Sequence, residues 1–434
     1  MLKTIEIIVN SRRNPDIYDY LVHASTLARE IYNQALFVQR QLFISFCKTE
    51  DKISDNERSV IANAAALGLL HRRYLGYNLL ERYMRTYHSS LYGNGLSSQC
   101  VQNIIRSACR DMTSFIRASK EYSKDPSRFM GKPELPRYKK TGYKSFFITN
   151  QDCHIYEEDE GFALKFPYTK DRLYLGTSLP EGYERMKQVN VARYYDTYKI
   201  SIVYEASAQT ASGTGEGIIG IDLGVDNFIA IAGMNESILV NGRVIKSRNQ
   251  YYNKERARLY SIYDRQNRDT KRRTTRRMER LSKKRNSWIT NYMHHCSRYI
   301  VDYCISSQIG TIVIGKNEGW KQNSDMGKKS NQQFISIPHS RLISLLRYKC
   351  EEKGIRLIET EESYTSRSSF ISRDEMEEGK ASGRRISRGL YENEDGSIVN
   401  ADINGAANII RKVYPEIEIP LESLQKVRKV NVAW

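Results

Sequence analysis

Residues 217–226 read Gly-Ile-Ile-Gly-Ile-Asp-Leu-Gly-Val-Asp. A run of apolar and small residues ends on Asp222, the pattern of a strand buried in a sheet interior. An ionised carboxylate at the end of a core strand is costly unless something compensates it. A metal ion is one such partner. The alternative is a turn-forming Asp ahead of Gly224.

Working outward, Asn227–Ala232 and Ile238–Ile245 read as two more strands in hairpin sequence, followed by a long helical stretch. Thr311–Ile314 is a short apolar strand of the parallel-sheet kind. Ile337–Lys353 reads as a helix, Ile355–Thr360 as a strand and Asp402–Lys412 as a closing helix. The order strand-strand-strand-helix-strand-helix-strand-helix is that of an RNase H-like α/β domain, expected over 217–412.

Phosphodiester cleavage on such a sheet needs carboxylates at one edge to hold two divalent cations, and hard oxygen ligands suit Mg²⁺. Asp222 is the first candidate. Asp402, at the helix start in Asn400-Ala-Asp-Ile-Asn-Gly-Ala-Ala-Asn408, is the second, although an Asp there also suits the helix dipole. The strand Thr311–Ile314 should end in a Glu but is followed by Gly315. Glu318 in the loop beyond reads better as a solvated residue. The neighbouring parallel strand ends Glu359-Thr-Glu-Glu362, and adjacent strand ends lie about 4.8 Å apart. Glu362 is therefore expected to supply the missing carboxylate, with Glu361 as the fallback. A solvated acidic cluster is the competing reading.

The other half of the chain alternates over Leu2–Val9, turns helical over Tyr18–Cys47, Glu57–Tyr87 and Ser97–Tyr122, then strand-like. The strands are Phe146–Thr149, Phe162–Phe166, Arg172–Leu175, Gln188–Ala192 and Tyr198–Tyr204. The expected organisation is α+β and multidomain. A β-barrel from 1–15 and 130–206 carries an inserted helical lobe, 16–129. A linker (207–216) leads to the α/β domain, 217–412, with a polar, mobile insertion within 363–400. In the tail, 413–434, the basic Lys426–Lys429 reads as a solvated end.

A formal net charge of +18, with 30 Tyr among the residues, points to a polyanion, and nucleic acid is the first candidate. Lys254–Arg285 holds 14 Lys/Arg against four Asp/Glu, a net +10. A salt-bridged solvated helix would carry more acids, so this stretch is expected to face phosphates. The residues named for that role are Lys254, Arg265, Arg268, Lys271, Arg272, Arg273, Arg276, Arg277, Arg280, Lys283, Lys284 and Arg285. Arg137, Lys139 and Lys140 form a second basic patch. The stripe Trp288, Tyr292, Cys296, Tyr299, Tyr303 reads as packing against the sheet rather than as a base-stacking platform. The seven cysteines form no CxxC and read as reduced core residues; no zinc site is expected. The apolar stretch Gly217–Met234 is broken by Asp222 and Asp226, so no membrane partner is expected.

Taken in order, several motifs resemble those of the TnpB/OrfB family of transposon-encoded RNA-guided nucleases, relatives of the type V CRISPR effectors. Gly220–Asp226 resembles their first RuvC motif, Tyr364-Thr365-Ser366-Arg367 their Thr-Ser motif, and Ala401–Ile409, with Asn404, their third. The resemblance covers essentially the whole chain. It implies a wedge-type barrel and recognition lobe, a RuvC-like nuclease domain, a guide RNA, a target DNA, two Mg²⁺ ions and a bacterial or archaeal cytoplasmic setting at the nucleoid. Two departures stand out. Gly315 replaces the usual second-motif Glu, as in members with a relocated Glu before the Thr-Ser motif. Ser368 and Ser369 stand near where a zinc-ribbon Cys is expected. An RNA-guided endonuclease, an RNA-guided repressor without cleavage, and a strand-joining transposase remain the three readings.

Overall fold

The computed structural model describes residues 1–69, 73–140, 142–207, 215–266, 275–316, 337–387 and 389–432. Arg268, Lys271, Arg272, Arg273, Glu318 and linker positions 208–214 lie outside them. The chain divides into two compact units, Met1–Ser207 and Ala208–Trp434.

In the first unit, β1 (Leu2–Val9) leads into α1 (Pro15–Ser45), with Pro15 where a missing N–H costs nothing. The stripe Leu21, Ala24, Ala28, Ile31, Ala35, Val38 and Leu42 is buried, as its helical spacing requires. The single helix predicted over Glu57–Tyr87 is two, α2 (Asp55–Ala66) and α3 (Tyr77–Tyr87). Ser54 and Glu57 form a capping box that starts α2. Gly68, at φ 70°, ends it with the paired bonds Gly68 N to Ala65 O and Leu69 N to Ala64 O. The next helix, α4 (Ser98–Lys124), packs on α1.

Six further strands follow: β2 (Phe146–Thr149), β3 (His154–Glu158), β4 (Gly161–Lys165), β5 (Arg172–Gly176), β6 (Tyr183–Tyr194) and β7 (Thr197–Ala206). The expected closed barrel is not formed among the described residues. The order β1-β7-β6-β2 is an open antiparallel sheet whose edges are β1 and β2, while β3, β4 and β5 pair only with one another. Residues 136–139 run along α1. Arg40 donates to the Pro136 carbonyl at 2.6 Å, and Asn33 bonds both backbone groups of Lys139.

The second unit is built on a six-stranded sheet. Its strands are β8 (Gly217–Leu223), β9 (Asn227–Gly233), β10 (Ser237–Asn241), β11 (Ile309–Gly315), β12 (Arg356–Thr360) and β16 (Val427–Val430), in the order β12-β11-β8-β9-β10-β16. The pairs β8/β11 and β11/β12 are parallel, and β8/β9/β10 is an antiparallel meander. Three expectations need correction. The strand predicted to Ile245 stops at Asn241, because Gly242 breaks the pattern and α5 (Arg243–Gln266) begins. The basic stretch Lys254–Arg285 is not one helix but the end of α5 and the start of α6 (Arg276–Ser306). The basic tail is the edge strand β16, pairing parallel with β10, and Arg428 is ion-paired to Glu236 at 2.7 Å. Among its described residues the polar insertion holds the small sheet β13 (Arg384–Ser387), β14 (Leu390–Glu392), β15 (Ile398–Asn400), and Ser368, Ser369 and Asn393 are buried. The remaining helices are α7 (His339–Lys353), α8 (Ala401–Val413) and α9 (Leu421–Gln425).

The helix α8 lies directly on β8. A Cβ placed on Gly220 would fall 2.1 Å from the Ala406 carbonyl oxygen and 2.5 Å from Ile410 Cγ1. The first of these atoms is backbone, so it cannot rotate away. Gly220→Ala is therefore expected to lower stability by about 1–3 kcal/mol. Urea denaturation of the purified chain measures this, and an unchanged midpoint would refute the close approach.

Candidate active site

Asp222 stands at the end of β8, two residues beyond Gly220 and hence on the face covered by α8. The helix reaches it through another glycine. A Cβ on Gly405 would lie 3.1 Å from Asp222 Oδ2 and 3.9 Å from the Ser366 Cα. Asp402, three residues before Gly405, shares that helix face. Asn400 caps the helix, its Oδ1 accepting from Asp402 N at 3.0 Å and Ile403 N at 3.3 Å. Asn227 donates to Asp402 Oδ2 at 2.7 Å. Arg385 of β13 places Nη2 3.9 Å from Asp402 Oδ1. Burial, then the neighbouring Asp402 carboxylate, push the Asp222 carboxyl up to about 7, against the opposing pull of the Leu223 backbone and Arg385.

The register carries the third carboxylate to the same edge. Ile314 pairs with Ile221 on one side and Glu359 on the other, so Gly315 lies next to Asp222. A Cβ on Gly315 would fall 2.7 Å from Glu362 Oε2 and 3.2 Å from Glu362 Cβ. The Glu362 side chain thus fills the volume that a side chain at 315 would occupy. Its neighbours in the acidic run are committed elsewhere. Glu359 pairs with Lys316 at 2.7 Å and with Arg347. Glu361, the fallback, pairs with Lys412 at 2.8 Å and accepts from Ser363 N. Burial raises the Glu361 carboxyl, but these bonds outweigh it and hold the group below its usual range.

Glu362 opens a turn fastened to α8. Thr365 Oγ1 donates to the Glu362 carbonyl at 2.8 Å, and Tyr364 takes a positive φ of 62°. Asn408 Nδ2 donates to the carbonyls of Thr365 and Ser368 at 2.9 and 2.7 Å. Asn404 donates to the Ser368 carbonyl and accepts from Phe370 N. The loop after Asp222 is tied as well, through His339 to the Gly224 carbonyl at 3.2 Å and through the Lys246–Asp226 ion pair at 2.7 Å.

Sequence reasoning named Asp222, Glu362, Asp402 and Asn404. It missed Asn408, Gly405, Asn227 and Arg385. The i, i+4 repeat of Asn404 and Asn408 among the apolar and small residues 403–410 of the helix was the available signal. Among the described residues no three acidic, His or Cys side chains converge closely enough to form a metal cluster. The donor chemistry nevertheless fits hard divalent cations. Burial and the neighbouring Asp402 carboxylate make ionising Asp222 costly, and a divalent cation beside these oxygen donors would relieve that cost.

Of the basic residues predicted to face phosphates, Lys254, Arg265, Arg276, Arg277, Arg280 and Lys284 are exposed and Lys283 is half-buried. Arg285 serves the fold, donating to Asn249 at 2.8 Å and lying 5.5 Å over the Tyr252 ring. In the other unit Arg137 is ion-paired to Glu134, and the Lys139 ammonium stands 5.7 Å over Tyr32. Lys140 is exposed. Cys47 is exposed and the other cysteines are buried or half-buried, all as free thiols. Among the described residues no helix is long and apolar enough to cross a membrane.

Residues 201–321 match the OrfB_IS605 family model, described as "Probable transposase", and residues 339–409 match the Cas12f1-like TNB domain. Asp222 lies in the first segment, Glu362 and Asp402 in the second. No curated protein matches the chain by sequence. Among solved structures, a Cas12f1 in complex with single-guide RNA and target DNA is 16% identical, with a TM-score of 0.54 over 91% of this chain and 82% of that one. The mini-RNA-guided endonuclease CRISPR-Cas_phi3 is 9% identical, with a TM-score of 0.44 over 95% and 92%. The C2c1 protein of Alicyclobacillus acidoterrestris with single-guide RNA is 9% identical, with a TM-score of 0.41 over 93% and 70%. In its motifs, these two segments and a mixed α/β multidomain fold of the Cas12f1 kind, the chain resembles the TnpB/OrfB transposon proteins and their type V effector relatives.

Proposed function

We propose that the chain is an RNA-guided DNA endonuclease associated with an insertion sequence, cutting DNA by phosphodiester hydrolysis at the edge formed by Asp222, Glu362 and Asp402. The observation that carries this reading is the Glu362 carboxylate lying in the hollow over Gly315, beside Asp222. The two segment matches, and the guide RNA and target DNA held by the Cas12f1 relative, support it. The three carboxylates would hold divalent cations, Mg²⁺ by preference for hard oxygen ligands. Such ions, when bound, activate water and offset charge on the leaving oxygen. Asp222 and Asp402 supply negative charge from strand and helix, Asn227 orients Asp402, and Arg385 adds a cation able to meet a phosphate. The exposed bases of α5 and α6 bind the backbone, and guide pairing supplies most sequence specificity. The description of the OrfB family as a transposase favours a second reading, strand joining by the same carboxylates.

The first test uses protein co-expressed with its flanking RNA, in Mg²⁺-dependent plasmid cleavage. Asp222→Ala and Glu362→Gln are each expected to lower the cleavage rate by more than about 100-fold. Gly315→Glu combined with Glu362→Gly returns a carboxylate to the same volume and is expected to recover part of that loss. Full cleavage by Glu362→Gln would sink the assignment of that residue. Guide-dependent binding without cleavage in the wild type would favour a repressor, and joined products a transposase.

The Asp222 carboxyl also makes stability depend on pH. Its folded pKa, about 7, is above the ordinary 3.8. The stabilising contribution of the protonated form is fully present below about pH 4 and is lost as the pH rises through 7. In cation-free buffer, Asp222→Asn is therefore expected to melt above wild type at pH 8, with the difference closing near pH 4. Thermal unfolding across that range measures it, and a constant difference would contradict the raising of the Asp222 carboxyl by burial and by Asp402.

A further inference from the structure

A second feature of this unit has no part in the carboxylate site. Between the start of α5 and α6 lies an open cleft of about 660 Å³, lined by Arg243, Val244, Ser247, Arg248, Tyr251 and Trp288. Its size is within the range of about 300–1,000 Å³ common for ligand sites. The lining includes two arginines and no acid, so it suits an anion and not a cation.

Its wall is a stack that rises from the core. Tyr292 is buried, and Trp288 lies parallel to it, with centroids 5.4 Å apart and planes within 6°. The Arg248 guanidinium stands 5.3 Å over the Trp288 ring. Tyr251, one helical turn beyond Ser247, is 59% exposed at the rim. Indole, guanidinium and phenol are the flat groups on which unpaired bases stack. Both helices are held in register, by the Tyr252–Ser282 hydroxyl pair at 3.0 Å and the Arg285–Asn249 bond. The cleft is thus a preformed surface.

Its position is fixed relative to the catalytic edge. Gly242, just before α5, donates to the Asp226 carbonyl at 2.9 Å, and a Cβ there would fall 2.1 Å from the Val225 carbonyl. Lys246 of the first turn pairs with Asp226. The first turn of α5 is therefore bolted to the loop that follows Asp222.

We propose that this cleft seats an unpaired nucleotide, its base against the Trp288–Arg248 layer and the Tyr251 ring, and its phosphate on Arg243 and Arg248. The proposal rests on the nucleic-acid reading above and assigns it a specific contact. The nucleotide comes either from RNA or from a DNA strand, and the two present the same base face and phosphate.

The test uses the full chain with short single-stranded oligonucleotides, one of DNA and one of RNA, each carrying 5-iodouracil. Photocrosslinks are mapped by mass spectrometry, and affinities are measured by anisotropy. Crosslinks at Tyr251 or Trp288 are expected. Tyr251→Ala should weaken binding at least about fivefold, while Tyr251→Phe, which keeps the ring, should leave it near wild type. Crosslinking by DNA alone, RNA alone or both supports the cleft and names its source. Oligonucleotide binding with crosslinks only elsewhere, and with Tyr251→Ala unaffected, overturns the cleft but leaves the nucleic-acid reading standing. A wild type that binds neither oligonucleotide overturns both.

Discussion

The contact between the Gly220 backbone and the Ala406 carbonyl governs the geometry of the carboxylate site. With no side chain at 220, α8 lies directly on β8. The same lack at 405 lets the helix continue past the Asp222 carboxylate. Once the helix is seated there, Asp402 in its first turn stands beside Asp222. Asn404 and Asn408 then reach the turn that carries Glu362. One packing distance thus sets the positions of groups drawn from three remote segments of the chain. The two asparagines are buried and spend their amides on loop carbonyls that would otherwise be left unpaired, which is why polar residues are retained in an apolar helix face.

The acidic run Glu359–Glu362 shows how one composition is sorted into different roles by strand geometry. Glu359 is neutralised by Lys316 and Arg347, and Glu361 by Lys412. These pairs are partly exposed and add little stability. They matter because they take two of the three carboxylates out of competition for the edge. Glu362 turns the other way, into the hollow over Gly315. Asp222, by contrast, is buried beside the Asp402 carboxylate, and burial first and that charge second make its ionisation costly. Sites that bind cations carry such stress because the ligand relieves it.

How much of this was legible in the sequence depended on the kind of signal. Apolar strands such as 217–221 and 311–314 declare themselves, and so did the order of elements around the sheet. The strand His154–Glu158 did not, because its residues are mostly exposed, two of them glutamates, and give no alternation to read. Lys426–Lys429 reads as a solvated end, yet Val427–Val430 is an edge strand: Arg428 and Lys429 are exposed, while Val427 and Val430 pack against the cores beside the sheet. The barrel was a guess at closure, and alternation within strands carries no information on which edges meet. Asp222 stood out because charge at the end of an apolar strand is anomalous, whereas Asp402, ordinary for a helix start, was singled out by the motif around it. Arg385 was not, since one arginine in a polar insertion looks like any other until the small sheet aims it at Asp402.

The position of Glu362 is the point at which sequence and structure bear on one another most directly. Viewed along the chain, a glycine where a glutamate is expected suggests a lost ligand. In space, residues 315 and 362 belong to the ends of neighbouring parallel strands and compete for one volume: a Cβ on Gly315 would lie 2.7 Å from the Glu362 carboxylate oxygen. Glutamates at both positions would crowd each other beside Asp222, and glutamates at neither would leave the hollow without a carboxylate. The two positions are therefore coupled, and the glycine is the condition for the glutamate's placement. A missing residue in a linear motif is weak grounds for inferring a dead site when the adjacent strand end is within a side chain's reach.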